Sequence, residues 1–244
     1  MNRYFAVINV RTFYVLLISF GCCFLAINYD IRYDYDTTLI SIAIIFPLVF
    51  TIRAAFSRRE KSIEHLSRLK AGLMTIYYCF QNTGKINDEQ KAEIRVALVE
   101  VPKSMNAYLI KQGSDEQVKI KIKSVFDFIQ KHQEDISGGL SLKIFRFMKD
   151  VHQGAENVMA INRHRTPISL RAYCLLFIYI FPIIYIPSFL YKIDAETPHI
   201  ILYLITAFKG FILISLYNVQ DHMEHPFDQN GLDDIRLKDF ELDV

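Results

Sequence analysis

TTLISIAIIFPLVFTI, residues 37–52, carries no charge, and its reading decides the fold. A bilayer core of roughly 30 Å takes about 20 apolar residues in a helix, with about 17 as a lower limit. The run reaches that length when the helix continues through Ala54, Ala55 and Phe56. Within it Ile42, Phe46 and Phe50 recur every four residues and therefore stack on one helical face. Taken alone, large apolar residues at that spacing in a span most often pack or face lipid. Thr37, Thr38 and Ser41 on the outer half change this little, and Pro47 loosens the helix mid-membrane.

Three more runs of this kind flank a polar middle: TFYVLLISFGCCFLAINY at 12–29, AYCLLFIYIFPIIYIPSFLY at 172–191 and HIILYLITAFKGFILISLY at 199–217. Only DIRYDYD separates the first two spans and only KIDAETP the last two, so each pair reads as a hairpin. The predicted fold is an all-α membrane protein of four transmembrane helices in two hairpins, with a helical domain between them. The expected divisions are an N-terminal transmembrane hairpin over 1–56 (spans 12–29 and 37–56) and a helical cytoplasmic domain over 57–169. A C-terminal hairpin over 170–220 (spans 172–191 and 199–217) and a cytoplasmic tail over 221–244 complete them.

Composition agrees. Of 244 residues 52% are hydrophobic, with only 9 Gly, 7 Pro and 4 Cys, which excludes disorder, collagen-like repeats and a disulfide scaffold. Lys and Arg (28) nearly balance Asp and Glu (26), so net charge gives no reason to expect nucleic acid. Lys and Arg flanking the spans set the orientation. Arg3 and Arg11, six residues from Arg53 to Lys70, and six from Lys143 to Arg171 lie on one side; Arg32 and Lys192 alone lie in the short connectors. Both termini and the middle are thus expected in the cytoplasm of a multi-pass plasma membrane protein, a bacterial inner membrane if the source is prokaryotic. A signal peptide is the competing reading of the first span, but no A-x-A-like site follows it. Cys22, Cys23, Cys79 and Cys174 read as free thiols packing as small apolar groups.

The middle reads as helical. Ile63, Leu66, Leu69, Leu73, Ile76 and Tyr77 form an amphipathic stripe that extends the second span inward. Ile94, Ala97, Leu98, Val101 and Met105 form another, before a break at Gly113 and Ser114. KIKIKSV at 119–125 alternates like a strand, yet Val125, Phe126, Phe128 and Ile129 continue at helical spacing, and helix is the reading preferred. Gly138 and Gly139 break the chain again before a last helix leading to Thr166 and Pro167.

Catalytic chemistry has little to stand on. The chain lacks G-x-S-x-G, a P-loop and G-x-G-x-x-G. DHMEHPFD gathers Asp221, His222, Glu224, His225 and Asp228 at the inner exit of the fourth span, which on paper ligates a divalent metal. The order is not His-Glu-x-x-His and Pro226 ends the helix, so a polar helix end is the plainer account; no metal and no cofactor are expected, and the protein reads as a non-enzyme. Lys209 is the one charge placed mid-span, within AFKGF. It faces protein or water rather than lipid, either paired with an acidic group or carbonyl or adding positive potential near an ion path. Gly210 beside it permits close helix packing.

Together these features resemble the bestrophin family of ion channels, and its prokaryotic branch most. Ile42-x-x-x-Phe46-x-x-x-Phe50 resembles the hydrophobic neck motif of that family's second transmembrane helix. Arg58 sits where the family's Arg-Trp-Trp or Asp-Arg-Trp stretch begins, although SRREKSIEHL has no tryptophan. Thr166-Pro167-Ile168 resembles Thr-Pro-Ile-Pro, and Phe181-Pro182 a Leu-Pro. HMEHPFDQNGLDDIRL at 222–237 resembles Glu-Asp-Pro-Phe-Gly followed by Asn-Asp-Leu-Pro-Leu, with Glu224, Pro226, Phe227, Asp234 and Leu237 matching after a small length change.

The resemblance implies a ring of five identical subunits around a central pore. Ile42, Phe46 and Phe50 would form the neck; a second constriction near the helix before the third span would fall at Met159 or Ile161. Arg58 and Lys209 are pore or packing charges on this reading. The calcium clasp of eukaryotic members corresponds to residues 228–234, where three carboxylates supply too few oxygens for a tight site. Expected partners are chloride or other small ions, membrane lipid and copies of the chain. Ion sign stays open, since eukaryotic members conduct anions whereas prokaryotic relatives can favour cations; the acidic outer connector and basic inner flank oppose each other and are screened within about 8 Å. The reading leans to chloride, with a monovalent-cation channel of the same fold, a non-conducting helical scaffold or sensor, and a metalloenzyme using His222, Glu224 and His225 as alternatives.

Overall fold

The computed structural model describes residues 7–194, 196–231 and 233–244, so Arg3 of the charge count, Ala195 of the second connector and Leu232 of the 228–234 segment lie outside the described residues. Among the described residues seven α-helices follow in order: α1 (Val10–Asn28), α2 (Thr38–Gln81), α3 (Asp88–Leu109), α4 (Asp115–Lys131), α5 (Gly138–Arg163), α6 (Ile168–Lys192) and α7 (His199–Met223). A short 3-10 turn covers Leu237–Phe240, and no strand occurs among the described residues. Four of the helical stretches are long and apolar enough to cross a membrane, as the four runs predict, and the protein is membrane-embedded. Each helix overruns its apolar stretch at one end or both, because polar residues beside a span can continue the same hydrogen-bonded ladder. The chain divides into two compact units.

The apolar unit holds α1, the N-terminal part of α2 as far as Ser57, α6 and α7. α1 packs against α6 and α7, and α6 against α7. Val15 and Cys23, Ile44 and Leu48, Ile178 and Ile186, and Ile214 meet in its core. Gly210 is what lets α7 approach α1, since a Cβ there would stand 3.0 Å from Val15 Cγ1 and 3.1 Å from Ser19 Oγ. Asn9 starts α1 with a capping box, its side chain accepting from the Thr12 backbone while the Thr12 hydroxyl accepts from the Asn9 N–H. Asp36 accepts from the Thr38 N–H at 2.9 Å at the start of α2, and its hydrogen bonds with Thr38 hold its carboxyl below the usual range. Pro47 removes the N–H that would reach the Ala43 carbonyl one turn earlier, yet α2 runs through it unbroken. The Tyr173 hydroxyl of α6 donates to that carbonyl at 3.4 Å, replacing the missing bond.

The polar unit holds the C-terminal part of α2 from Arg58, then α3, α4 and α5, with residues 226–230 and 234–244 of the tail. The predicted α2 stripe supplies its core, with Leu66, Leu69, Leu73 and Ile76 buried and Ile63 and Tyr77 packed at the edge. Ser114 caps α4 through a box with Gln117, and Val118, Ile122, Val125 and Ile129 bury at helical spacing, so KIKIKSV is helix despite its alternation. Gly138 and Gly139 lie inside the first turn of α5 after the Ser137 cap, rather than in a break before it. Gly154 lets α5 meet α2, because a Cβ would come within 2.8 Å of the His65 carbonyl oxygen and 3.0 Å of the Leu69 nitrogen. Phe227, Ile235, Leu237 and Leu242 anchor the tail, and Asn106 donates to the Leu237 carbonyl at 3.2 Å and to Glu241 at 3.0 Å. Gln229 adopts a left-handed φ of 60°, and its amide ties the turn by donating to the carbonyls of Phe227 and Ile235. All four cysteines are free thiols, with Cys23 and Cys174 buried among apolar side chains.

Candidate functional site

α2 has two faces within the apolar unit. Ile44, Leu48, Thr51 and Ala55 are buried, whereas Ile42, Phe46 and Phe50 stand 45%, 56% and 61% exposed on the other side. The exposed set keeps the four-residue spacing of the sequence motif, and the Phe46 and Phe50 rings lie 6.3 Å apart, tilted by 43°. From Ile42 to Phe50 the stripe covers about 12 Å of helix axis. A second exposed apolar face runs along α1 through Phe13, Leu17, Phe20 and Phe24.

Lys209 donates to the Tyr185 hydroxyl at 2.6 Å, and its ammonium sits 4.0 Å from the centre of the same ring. The partner is therefore a phenol, neither the acid nor the carbonyl considered from the sequence, and one aromatic side chain supplies both a hydrogen bond and a cation–π contact. Tyr185 stacks between Phe181 and Phe189, each one turn away. That four-residue aromatic spacing in α6 was the available signal for it. Lys209 also lines a cavity of about 240 Å³ with Ser41, Ile44, Ile45, Phe181, Ile212 and Leu213.

The motif residues at the ends of α6 and α7 come together in part. Glu224, 1% exposed at the C-cap of α7, accepts from the Thr166 N–H at 2.6 Å and from the Thr166 hydroxyl at 2.9 Å. Pro167 is the N-cap of α6, so this carboxylate stands at the start of a helix, where a negative charge is favoured. Nearly one turn earlier on α7, Asp221 bridges Arg11 of α1 and Arg171 of α6, each at 2.8 Å. Buried Asn218 donates to the Val7 carbonyl at 2.8 Å and accepts from Asn9 at 2.9 Å. Pro226 and Phe227 belong to the polar unit, where Phe227 is in the core and the Pro226 carbonyl accepts from the Ile235 N–H at 2.8 Å; Asp234 is half-buried.

Asp221 and Glu224 of DHMEHPFD are thus engaged in these protein contacts, and His225 Nδ1 lies 3.0 Å from the Asp221 carbonyl. Among the described residues no three of His, Cys, Asp and Glu converge where a metal could be held. Arg58 is half-buried, with its carbonyl accepting from the Ser62 hydroxyl at 2.9 Å. Met159, one of the two aperture candidates, is enclosed in the polar-unit core, where its position on α5 follows the buried stripe of Val151, Ala155 and Val158. Ile161 is half-buried.

No protein-family model and no curated protein sequence matches the chain. Solved structures do. A bacterial bestrophin homologue from Klebsiella pneumoniae superposes with a TM-score of 0.76 at 15% identity, covering 94% of this chain and 93% of that one. One point variant of that homologue gives 0.80 at 14% identity over 98% of this chain and 94% of its own, and another gives 0.77 at 14% identity over 94% and 93%. The chain has the bestrophin fold over nearly its whole length.

Proposed function

We propose that the chain is one subunit of a five-membered ring that conducts small anions, chloride among them, through a neck lined by Ile42, Phe46 and Phe50. The observation that carries this reading is the bare apolar stripe on α2, opposite a face buried in the subunit's own core, in a chain of bestrophin fold. Both termini and the polar unit lie in the cytoplasm, the spans pair as two hairpins, and the activity is conduction rather than catalysis. Arg58 belongs to the inner flank of the passage, and of the two α5 candidates the half-buried Ile161 is the one able to narrow it.

Five copies of an apolar stripe work as a gate because water leaves a narrow ring of hydrocarbon, and a hydrated ion then meets a barrier. Opening needs only a wider ring. The positive edges of Phe46 and Phe50 favour anions when the rings turn edge-on. The 43° tilt between the two rings is compatible with separate rotations of each layer.

The test is recording from purified protein in planar bilayers, with its oligomeric state measured on the same sample. Unitary currents from a fivefold assembly, enlarged or more frequent in Phe46→Ala and Phe50→Ala, are expected. Currents unchanged by both substitutions would remove these residues from the neck, and a monomer without current would favour the scaffold.

A further inference from the structure

The stripe does not end at Phe50. Each residue turns an α-helix by about 100°, so Arg53 returns to the same side as Ile42 and Phe46, one turn beyond Phe50 and about 4.5 Å along the axis. Burial agrees with this register: Thr51 and Ala55 on either side of Arg53 are buried, and Arg53 is exposed. No carboxylate forms an ion pair with it among the described residues. Glu60, two turns further along the same side, is held by Arg59 at 2.9 Å, so Arg53 is the first unopposed charge past the apolar stripe.

Membrane depth separates two accounts of an exposed arginine here. From Thr38 to Arg53 the axis advances about 22 Å, short of the roughly 30 Å of hydrocarbon. Turned toward lipid, the guanidinium would sit in or reach out of the apolar layer, which is unfavourable. Turned toward a water-filled passage, it stays hydrated. The apolar neighbours of Arg53 on the stripe are the proposed neck residues, so the second orientation satisfies both.

Resting on the five-membered channel of the proposed function, we infer that Arg53 sets the sign of the permeant ion. Five guanidiniums ring the inner end of the neck and raise the local concentration of small inorganic anions while repelling potassium and sodium. The ring lies within about one screening length, 8 Å, of the Phe50 layer, so an ion entering the dry constriction feels it little attenuated. Arginine suits this position because its charge persists at every working pH and its guanidinium is weakly hydrated.

Reversal potentials in asymmetric potassium chloride test the assignment, recorded for native protein and for Arg53→Lys, Arg53→Gln and Arg53→Glu, each also carrying Phe46→Ala so that a closed neck cannot hide them. Native and Arg53→Lys channels are expected to reverse toward the chloride side. Arg53→Gln should lower the chloride-to-potassium permeability ratio about tenfold, and Arg53→Glu should carry the reversal potential across to the potassium side. Robust currents that reverse at the native value in Arg53→Gln and Arg53→Glu overturn the assignment and leave the channel reading intact, as does a native channel already selective for potassium. A folded fivefold assembly that passes no ion even with Phe46→Ala refutes the channel reading, and the selectivity assignment falls with it.

Discussion

Thr166→Val isolates one hydrogen bond of the buried Thr166–Glu224 contact. Both side chains are nearly inaccessible, at 4% and 1% exposure, so water cannot replace a lost partner. Valine keeps the backbone N–H that reaches Oε1 at 2.6 Å and removes only the hydroxyl that reaches Oε2 at 2.9 Å, in a side chain of nearly the same shape. A hydrogen bond to a charged acceptor contributes about 1.5–3 kcal/mol, and Gln220 Nε2 lies 3.5 Å from the same carboxylate oxygen. The expected loss is about 2 kcal/mol, which lowers the unfolding midpoint by about 4–8 °C at this chain length. Glu224→Gln should cost less, about 1 kcal/mol, because the amide can reverse the sense of the hydroxyl bond and forfeits only the charge assistance. Unfolding of the detergent-solubilised protein, followed by far-ultraviolet circular dichroism, reads both. The double variant should show a coupling of at least about 0.5 kcal/mol. Additive losses, or a Thr166→Val protein as stable as the native one, would refute the view that this contact joins α6 to α7.

Gly154→Ala drives a methyl group against the His65 carbonyl and the Leu69 nitrogen, backbone atoms that cannot step aside, and should destabilise the polar unit by about 1–3 kcal/mol in the same unfolding assay. At Asp115 burial raises the carboxyl, but the charges of Arg163 and Lys119 outweigh it and leave it below the usual carboxylate value. A lowered folded-state value stabilises above the unfolded value near about 3.9 and is lost as pH falls through the folded value. Unfolding midpoints measured from pH 7 down to pH 3 should therefore fall less steeply for Asp115→Asn than for native protein. Lys209→Met removes an ammonium from mid-span together with its bond to Tyr185, and is expected to be neutral or stabilising because a membrane-depth charge costs at least about 2.5 kcal/mol; a clear loss of midpoint would show that the Tyr185 contact outweighs that cost. Tyr173→Phe leaves the Ala43 carbonyl unpaired opposite Pro47 and should speed amide hydrogen exchange in the α2 turn around Pro47, with protection of α7 unchanged.

The spans were legible because each is a chemical block: a charge-free run as long as a bilayer leaves few alternatives. Their ends were less so. The notional fourth span stops at Tyr217, whereas α7 runs to Met223, since Asn218 and Asp221 find partners beside α1 and on α6 that composition cannot reveal. KIKIKSV misleads locally because lysines alternate with apolar residues, while the register of burial is fixed by Val118 and Ile122 one turn apart and by the cap at Ser114. At the candidate site the four-residue spacing of Ile42, Phe46 and Phe50 was readable; the enclosure of Met159 was not, because it depends on which side of α5 meets α2. Tyr185 was hidden for a similar reason, since only the packing of α6 on α7 brings its hydroxyl to Lys209.

Two exposed apolar faces of the apolar unit invite the same description, and the charge that continues one of them sets it apart. The α1 face is apolar at Phe13, Leu17, Phe20 and Phe24. The α2 face is apolar through Leu39, Ile42, Phe46 and Phe50 and then presents Arg53, Ser57 and Glu60 on the same side of one unbroken helix. On the proposed channel reading lipid serves the second half of that stripe poorly, because the guanidinium arrives before the hydrocarbon ends. A passage that is dry at the Phe layers and wet below them would serve both halves. That sequence of environments is the physical requirement for an apolar gate opening onto an aqueous vestibule, and the proposed neck is the reading of α2 that meets it within a single stripe of side chains.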